Sequence, residues 1–164
     1  MISVTGDSFQ LARTFTISHG PKTAAQVLTV RVTRGGVTGW GECVPDARYG
    51  ESLDRVTAAI LCLPPDISRL ALQQAMAPGV ARNAMDCALW GLEAKASGQR
   101  VWALAGLPAP KPVQIAVTLP LDTPEGMRPQ AAKNAHRPVL KIGPARHTTC
   151  PGRRRFAPVP RPLA

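Results

Sequence analysis

Lysines, carboxylates, histidines and thiols are the side chains here that can move protons or hold anions. Lys141 follows Val139 and Leu140 in the apolar run VLKI. A parallel strand would bury such a run, so the ammonium must reach the strand end or a partner, which favours a site role. Lys22 follows the turn signal Gly20-Pro21 and alone reads as a solvated lysine. Thr118 alone reads as an ordinary strand-end hydroxyl. Glu42 and Glu51 flank the turn-rich stretch CVPDARYGES. Either has the chemistry of a general base, but nothing pairs with them, so surface carboxylates are expected. His19, His136 and His147 show no ligand spacing. Cys43, Cys62, Cys87 and Cys150 form no C-x-x-C pair, so reduced thiols are expected, with Cys87 a small core residue.

The elements that must position these groups centre on Val80 to Gly106. Met85, Leu89, Leu92 and Ala96 recur at three- and four-residue spacing, a helical stripe. Ala81, Ala84, Cys87, Ala88 and Gly91 form a second stripe of small residues that lets another backbone approach. With only Arg82, Asp86, Glu93 and Lys95 charged, most of the circumference is expected to be buried. Gly98 supplies the left-handed terminus, and Val101 to Leu104 opens a short turn closed by Gly106.

Upstream, a first strand is expected to about Arg13, with Val4, Phe9 and Leu11 as its apolar positions, weakened by Gly6 and Asp7. Phe15 to Thr23 ends in a loop at Gly20-Pro21. Gln26 to Arg34 alternates, with Val27, Thr29, Arg31 and Thr33 on one face and Leu28, Val30 and Val32 on the other. Gly35-Gly36 is a hairpin dipeptide, and Val37 to Glu42 returns. Ser52 caps the next helix, which Pro64-Pro65 breaks. Ile67 to Met76 forms a second helix before Pro78-Gly79. The fold class is α+β, a three-stranded antiparallel meander packed on a helical layer.

After Gly106 the pattern changes. LPAPKP is a linker, Val113 to Thr118 a strand, Thr123-Pro124 the start of a helix to about Asn134, and Val139 to Ile142 a strand. This β/α/β unit needs a parallel sheet. A crossover helix covers only one side of it, so exposed apolar surface and aggregation are expected. Residues 143–164 have no periodicity. Gly, Pro, Ala and Arg make up 15 of those 22 residues, the residue types whose codons begin with two G/C bases. The tail therefore reads as an out-of-frame, disordered basic segment, which the nucleotide sequence downstream of the Ile142 codon tests.

The net charge of +10 divides evenly between that tail, with five arginines and no acid, and the other 142 residues. Arg153, Arg154 and Arg155 lack the aromatic platform or motif of nucleic-acid recognition, so at most non-specific contact through the tail is expected. No stretch suits a membrane span and no secretory signal is visible, so no membrane partner and a cytoplasmic location are expected.

ARNAMDCALWGLEAKASGQRVWALAG resembles the signature helix of the mandelate racemase/muconate lactonizing enzyme group of the enolase superfamily. GWGECVPDARYGES, with ISHGPKT before it, resembles the capping-domain strand and loop of the dipeptide epimerase branch acting on L-Ala-D/L-Glu. The resemblance covers residues 1 to 142. It implies a capping domain at 1–106, a linker at 107–112, an incomplete β/α/β start of a TIM-type barrel at 113–142, and a tail at 143–164. It also implies that the loops His19 to Thr23 and Asp46 to Ser52 close over substrate. A magnesium ion and two opposed lysines would invert the α-carbon through an enolate.

Carried over by position, Lys141 matches the first lysine of a K-x-K, which neutralises the substrate carboxylate. The base position is Gly143, and no metal ligand has a counterpart. Thr118 matches a substrate-contacting threonine, and Lys22 a basic residue pairing with the substrate's side-chain carboxylate. Gly91 replaces an acid of the signature, and Arg100 a small residue or proline. The expected function is thus a fragment of a magnesium-dependent dipeptide epimerase, inactive alone and binding no metal itself. Its family partner is a small dipeptide, and the full-length family allows homo-oligomers. Rival readings are a small basic binding or scaffold protein retaining the capping domain, and a fragment of a sibling cycloisomerase or racemase.

Overall fold

Strand β2 (Gly20–Arg34) is the middle of a three-stranded sheet, between β1 (Ile2–Ile17) and β3 (Val37–Cys43). The computed structural model describes residues 1–17 and 20–142. The expectations for His19, His147, Cys150 and the basic tail lie outside them.

Alternation along β2 buries Leu28, Val30 and Val32 on one face. The other face carries a polar ladder: Thr29 donates to Asp7 (2.8 Å), Arg31 to Thr5 (3.0 Å), and Thr33 bonds Thr38 (2.9 Å). The pairs to β1 run in opposite directions along β1 and β2, so the strands are antiparallel. Gly35 and Gly36 make the β2–β3 turn with φ of 54° and 76°, values that favour glycine.

Strands β1 and β2 are longer than the sequence suggested. Gly6 and Asp7 do not break β1, because the Asp7 carboxylate is held across the sheet by Thr29. Gly20-Pro21 begins β2 instead of ending in a loop, a position where proline is tolerated. Phe9 and Leu11 are exposed. With Ile2 and Val4 packed against the core, a two-residue period puts odd-numbered Phe9 and Leu11 on the outer face with Thr5 and Asp7.

The helical layer comprises α1 (Leu53–Leu61), α2 (Arg69–Ala75), α3 (Val80–Ser97) and the single turn α4 (Val101–Leu104). Ser52 Oγ accepts from the Arg55 amide (3.3 Å), and Ser68 Oγ from the Ala71 amide (3.1 Å). The Ser68 cap starts α2 later than Ile67, where the sequence put it. Val56 and Ile60, Ile67 and Leu72, and five residues of α3 complete the core with β2.

The small-residue stripe of α3 meets β3. Gly39 and Gly41 pair with Val32 and Val30, which places them on the core face. A Cβ on either would overlap a carbonyl oxygen of α3, that of Ala88 or Ala84 respectively. The burial of α3 is one-sided: Ala84, Met85, Ala88, Leu89 and Leu92 are buried, while Cys87 and Ala96 are exposed. Cys87 is therefore a surface thiol, because the sheet covers only the face carrying Ala84, Ala88 and Gly91. Gly98 ends α3 at φ 68°.

The chain forms two compact units. One gathers Met1–Phe15 and Lys22–Val113, and the other Thr16–Pro21 with the chain from Gln114 onward. In the second, β4 (Ala116–Leu119) and β5 (Val139–Ile142) pair in parallel, joined through α5 (Pro124–Lys133). Strand β4 begins at Ala116, not at Val113, because its ladder starts where β5 offers Val139 as a partner. Thr123 Oγ1 accepts from the Gly126 amide (3.2 Å), and the Leu121 amide donates to the Thr16 carbonyl (2.9 Å). Leu119 is the buried hydrophobic residue here among the described residues, while Val139 and Ile142 are about half exposed, at 43% and 52%.

Candidate substrate-recognition site

Thr118 and Lys141 are register partners on the parallel strands β4 and β5. Both side chains are exposed. Lys141 is not the buried charge that its apolar neighbours suggest, because the two-stranded sheet leaves β5 open and its ammonium keeps its water. The pairing itself is informative: a hydroxyl and a cation stand on neighbouring strands at one level, an arrangement that suits a carboxylate. Lys22 is exposed on β2 and belongs to the other compact unit.

The loop after β3 is built from its own polar groups. Asp46 accepts from the Arg48 amide (2.9 Å) and starts a 3-10 turn at Ala47–Tyr49, and Gly50 closes it at φ 72°. Glu51 is not a free surface carboxylate. It is half-buried, and its Oε2 accepts from the Asp46 amide (3.2 Å) while Oε1 accepts from the Val80 amide (3.1 Å). The sequence held a signal for this: Pro78-Gly79 gives α3 no side-chain cap, so the acceptor must come from elsewhere. Tyr49, Glu51, Pro78, Gly79, Val80 and Asn83 line a cleft of about 380 Å³ at this junction. Glu42 is exposed on β3.

Cys43, at the end of β3, is buried. Burial first, and then the negative charges of Glu51 and Glu42, push its thiol up to about 11, so it stays protonated and unreactive. Cys62 and Cys87 are exposed free thiols. A second cleft, of about 450 Å³, lies along α2 and α3. Its polar groups serve each other: Arg69 donates to Glu93 through two nitrogens at 2.8 Å and stacks on Trp90, and Gln73 donates to Asp86 (3.0 Å).

Among the described residues, no three His, Cys, Asp or Glu side chains come together to hold a metal ion. The described chain therefore does not fit a magnesium site. No described helix is long and apolar enough to cross a membrane.

Comparison with known proteins agrees with the architecture. Residues 2–106 match the family model described as mandelate racemase / muconate lactonizing enzyme, N-terminal domain. The L-Ala-D/L-Glu epimerase of Escherichia coli is 36% identical over 135 residues, covering 80% of this chain and 42% of that protein. An N-acetyl-D-glutamate racemase of Pseudoalteromonas is 36% identical over 110 residues, covering 63% and 35%. The crystal structure of an enolase family member from Agrobacterium tumefaciens with homology to dipeptide epimerases, with bound sodium and L-Ala-L-Glu, superposes with a TM-score of 0.81 at 47% identity. That match covers 87% of this chain and 45% of the other. More distant dipeptide epimerases, from Cytophaga hutchinsonii and Enterococcus faecalis, share the fold and are complexed with magnesium and dipeptides. The chain spans less than half the length of the proteins it matches. With the signature helix, the glycine-mediated β3–α3 packing and these matches together, the chain belongs to the mandelate racemase/muconate lactonizing enzyme group of the enolase superfamily, among the relatives of its dipeptide epimerases.

Proposed function

We propose that this chain is the substrate-recognition portion of a dipeptide epimerase acting on an alanyl-glutamate dipeptide. Residues 1–106 are its capping domain, 107–112 a linker, and 113–142 the first β/α/β of a barrel. The observation that carries this reading is the 47% identity to a protein seen with L-Ala-L-Glu, over 87% of this chain. The names of the Escherichia coli and Pseudoalteromonas relatives, both containing glutamate, point the same way.

In this reading Lys22 pairs with the substrate's side-chain carboxylate as a point charge, without the two-pronged geometry of arginine. Within the second unit, the register partners Lys141 and Thr118 are the candidate contacts for a carboxylate. The residue two beyond Lys141 is Gly143, which cannot take a proton. The proton-transfer base and the magnesium ligands of a complete enzyme must come from outside residues 1–142. The protein acts in the cytoplasm without a membrane partner, and any contact with nucleic acid is non-specific and made through the arginines of residues 143–164.

Two experiments test this. The chain incubated with L-Ala-L-Glu and magnesium in deuterated water should incorporate no deuterium at the α-carbon; incorporation above background would overturn the absence of a base. Residues 1–112 grafted onto the barrel of the Escherichia coli epimerase should restore epimerisation of L-Ala-L-Glu. A folded, magnesium-binding graft with no activity would refute the assignment.

A further inference from the structure

We propose that Glu51 is the positioning residue of the 46–52 loop, a latch that locks the loop to the start of α3 in one conformation. The loop has no apolar anchor, for its 3-10 turn buries no residue. It is tied to α1 through the Arg55 guanidinium, which donates to the Gly50 carbonyl (3.3 Å). The Glu51 carboxylate ties it to α3. Glu51 accepts the Asp46 amide, at the front of the loop, and the Val80 amide, the first of a helix whose Gly79 offers no capping side chain.

Both halves of that bridge are favoured by charge. The anion sits at the electropositive end of an 18-residue helix, and charge-assisted bonds to backbone amides are the stronger kind. One carboxylate spanning two segments 29 residues apart in the chain couples them, so the loop cannot rearrange without uncapping the helix. The shape of the cleft between Tyr49 and Asn83 follows from the same contact.

What the latch means for selectivity rests on the proposed function, in which this loop faces substrate. The latch itself does not, and its test uses no substrate, so its failure is distinct from failure of that reading. Amide hydrogen exchange of the full chain is compared with that of Glu51→Ala and Glu51→Gln, together with the rate of trypsin cleavage after exposed Arg48. In Glu51→Ala, exchange at Asp46 and Val80 and cleavage after Arg48 should rise roughly ten- to a hundredfold, the factor for losing a bond to a charged acceptor. Amides of β2 and of the interior of α3 should keep their protection. Glu51→Gln retains one acceptor oxygen and should fall between the two. Unchanged exchange at both amides, or an equal rise everywhere in both variants, would overturn the proposal.

Discussion

Replacing Gly41 with alanine puts a methyl group into the backbone of α3. Its Cβ would overlap the Ala84 carbonyl oxygen, lie 2.8 Å from the Ala84 carbonyl carbon and 3.1 Å from the Ala88 nitrogen. None of these atoms can rotate away as a side chain does, so strand or helix must shift. Overpacking a core costs about 1–3 kcal/mol, and backbone on both sides places Gly41 at the upper end, about 3 kcal/mol. For a domain of this size, each 1 kcal/mol moves the melting midpoint by about 4–8 °C, so a fall of about 12–24 °C is expected. Gly91 tests the same interface with the opposite sign. Its added Cβ would lie 3.7 Å from the Trp40 nitrogen and 3.8 Å from the Gly39 Cα, ordinary contact distances. Gly91→Ala should therefore gain most of the helix propensity difference, about 1 kcal/mol, and melt about 4–8 °C higher. Thermal melts followed by circular dichroism read both. A Gly41→Ala protein melting with the parent would refute the close packing of β3 on α3 at Ala84, and a Gly91→Ala protein melting well below it would refute the room the structure leaves beside Gly91.

Further outcomes follow from single contacts. The Cys43 thiol, raised from 9.0 to about 11 in the folded chain, keeps its proton where the unfolded chain has lost it. Its contribution to stability should thus be present below pH 9 and decline as pH rises toward 11, at up to about 1.4 kcal/mol per pH unit. Urea unfolding across that range should show a shallower decline for Cys43→Ala, and parallel profiles would count against the burial. A double-mutant cycle on Arg69 and Glu93, both partly exposed, should give a coupling of about 0.5–1 kcal/mol. Arg69→Lys should recover less than half of it, because lysine loses both the fork and the flat stack on Trp90; zero coupling would dismiss the pair.

Local pattern was enough wherever one residue's chemistry decided one backbone feature. Gly35-Gly36, the Ser52 cap, Thr123-Pro124 and Gly98 lie where the sequence puts them. The alternation of Leu28, Val30 and Val32 against Thr29, Arg31 and Thr33 settles which face of β2 meets the core, but it does not foretell that Val27, on the Thr29 face, is buried as well. The same rule, applied by parity from Val4, would have put Phe9 and Leu11 outside. The small-residue stripe of α3 announced a close backbone neighbour but could not name it, since Gly39 and Gly41 are far away in sequence.

The candidate site divides in the same way. The run from Val113 to Ile142 carries the parallel pairing in its order of strand, helix and strand, and with it the neighbouring of Thr118 and Lys141. What the tertiary structure alone decided is exposure and long-range partnership. Lys141 is solvated because only β4 pairs with β5 among the described residues. Cys87 is exposed because the sheet covers one side of α3, and Glu51 is engaged because α3 begins without a cap of its own. Periodicity fixes which face a residue is on; whether that face is covered, and by what, depends on segments distant in the chain.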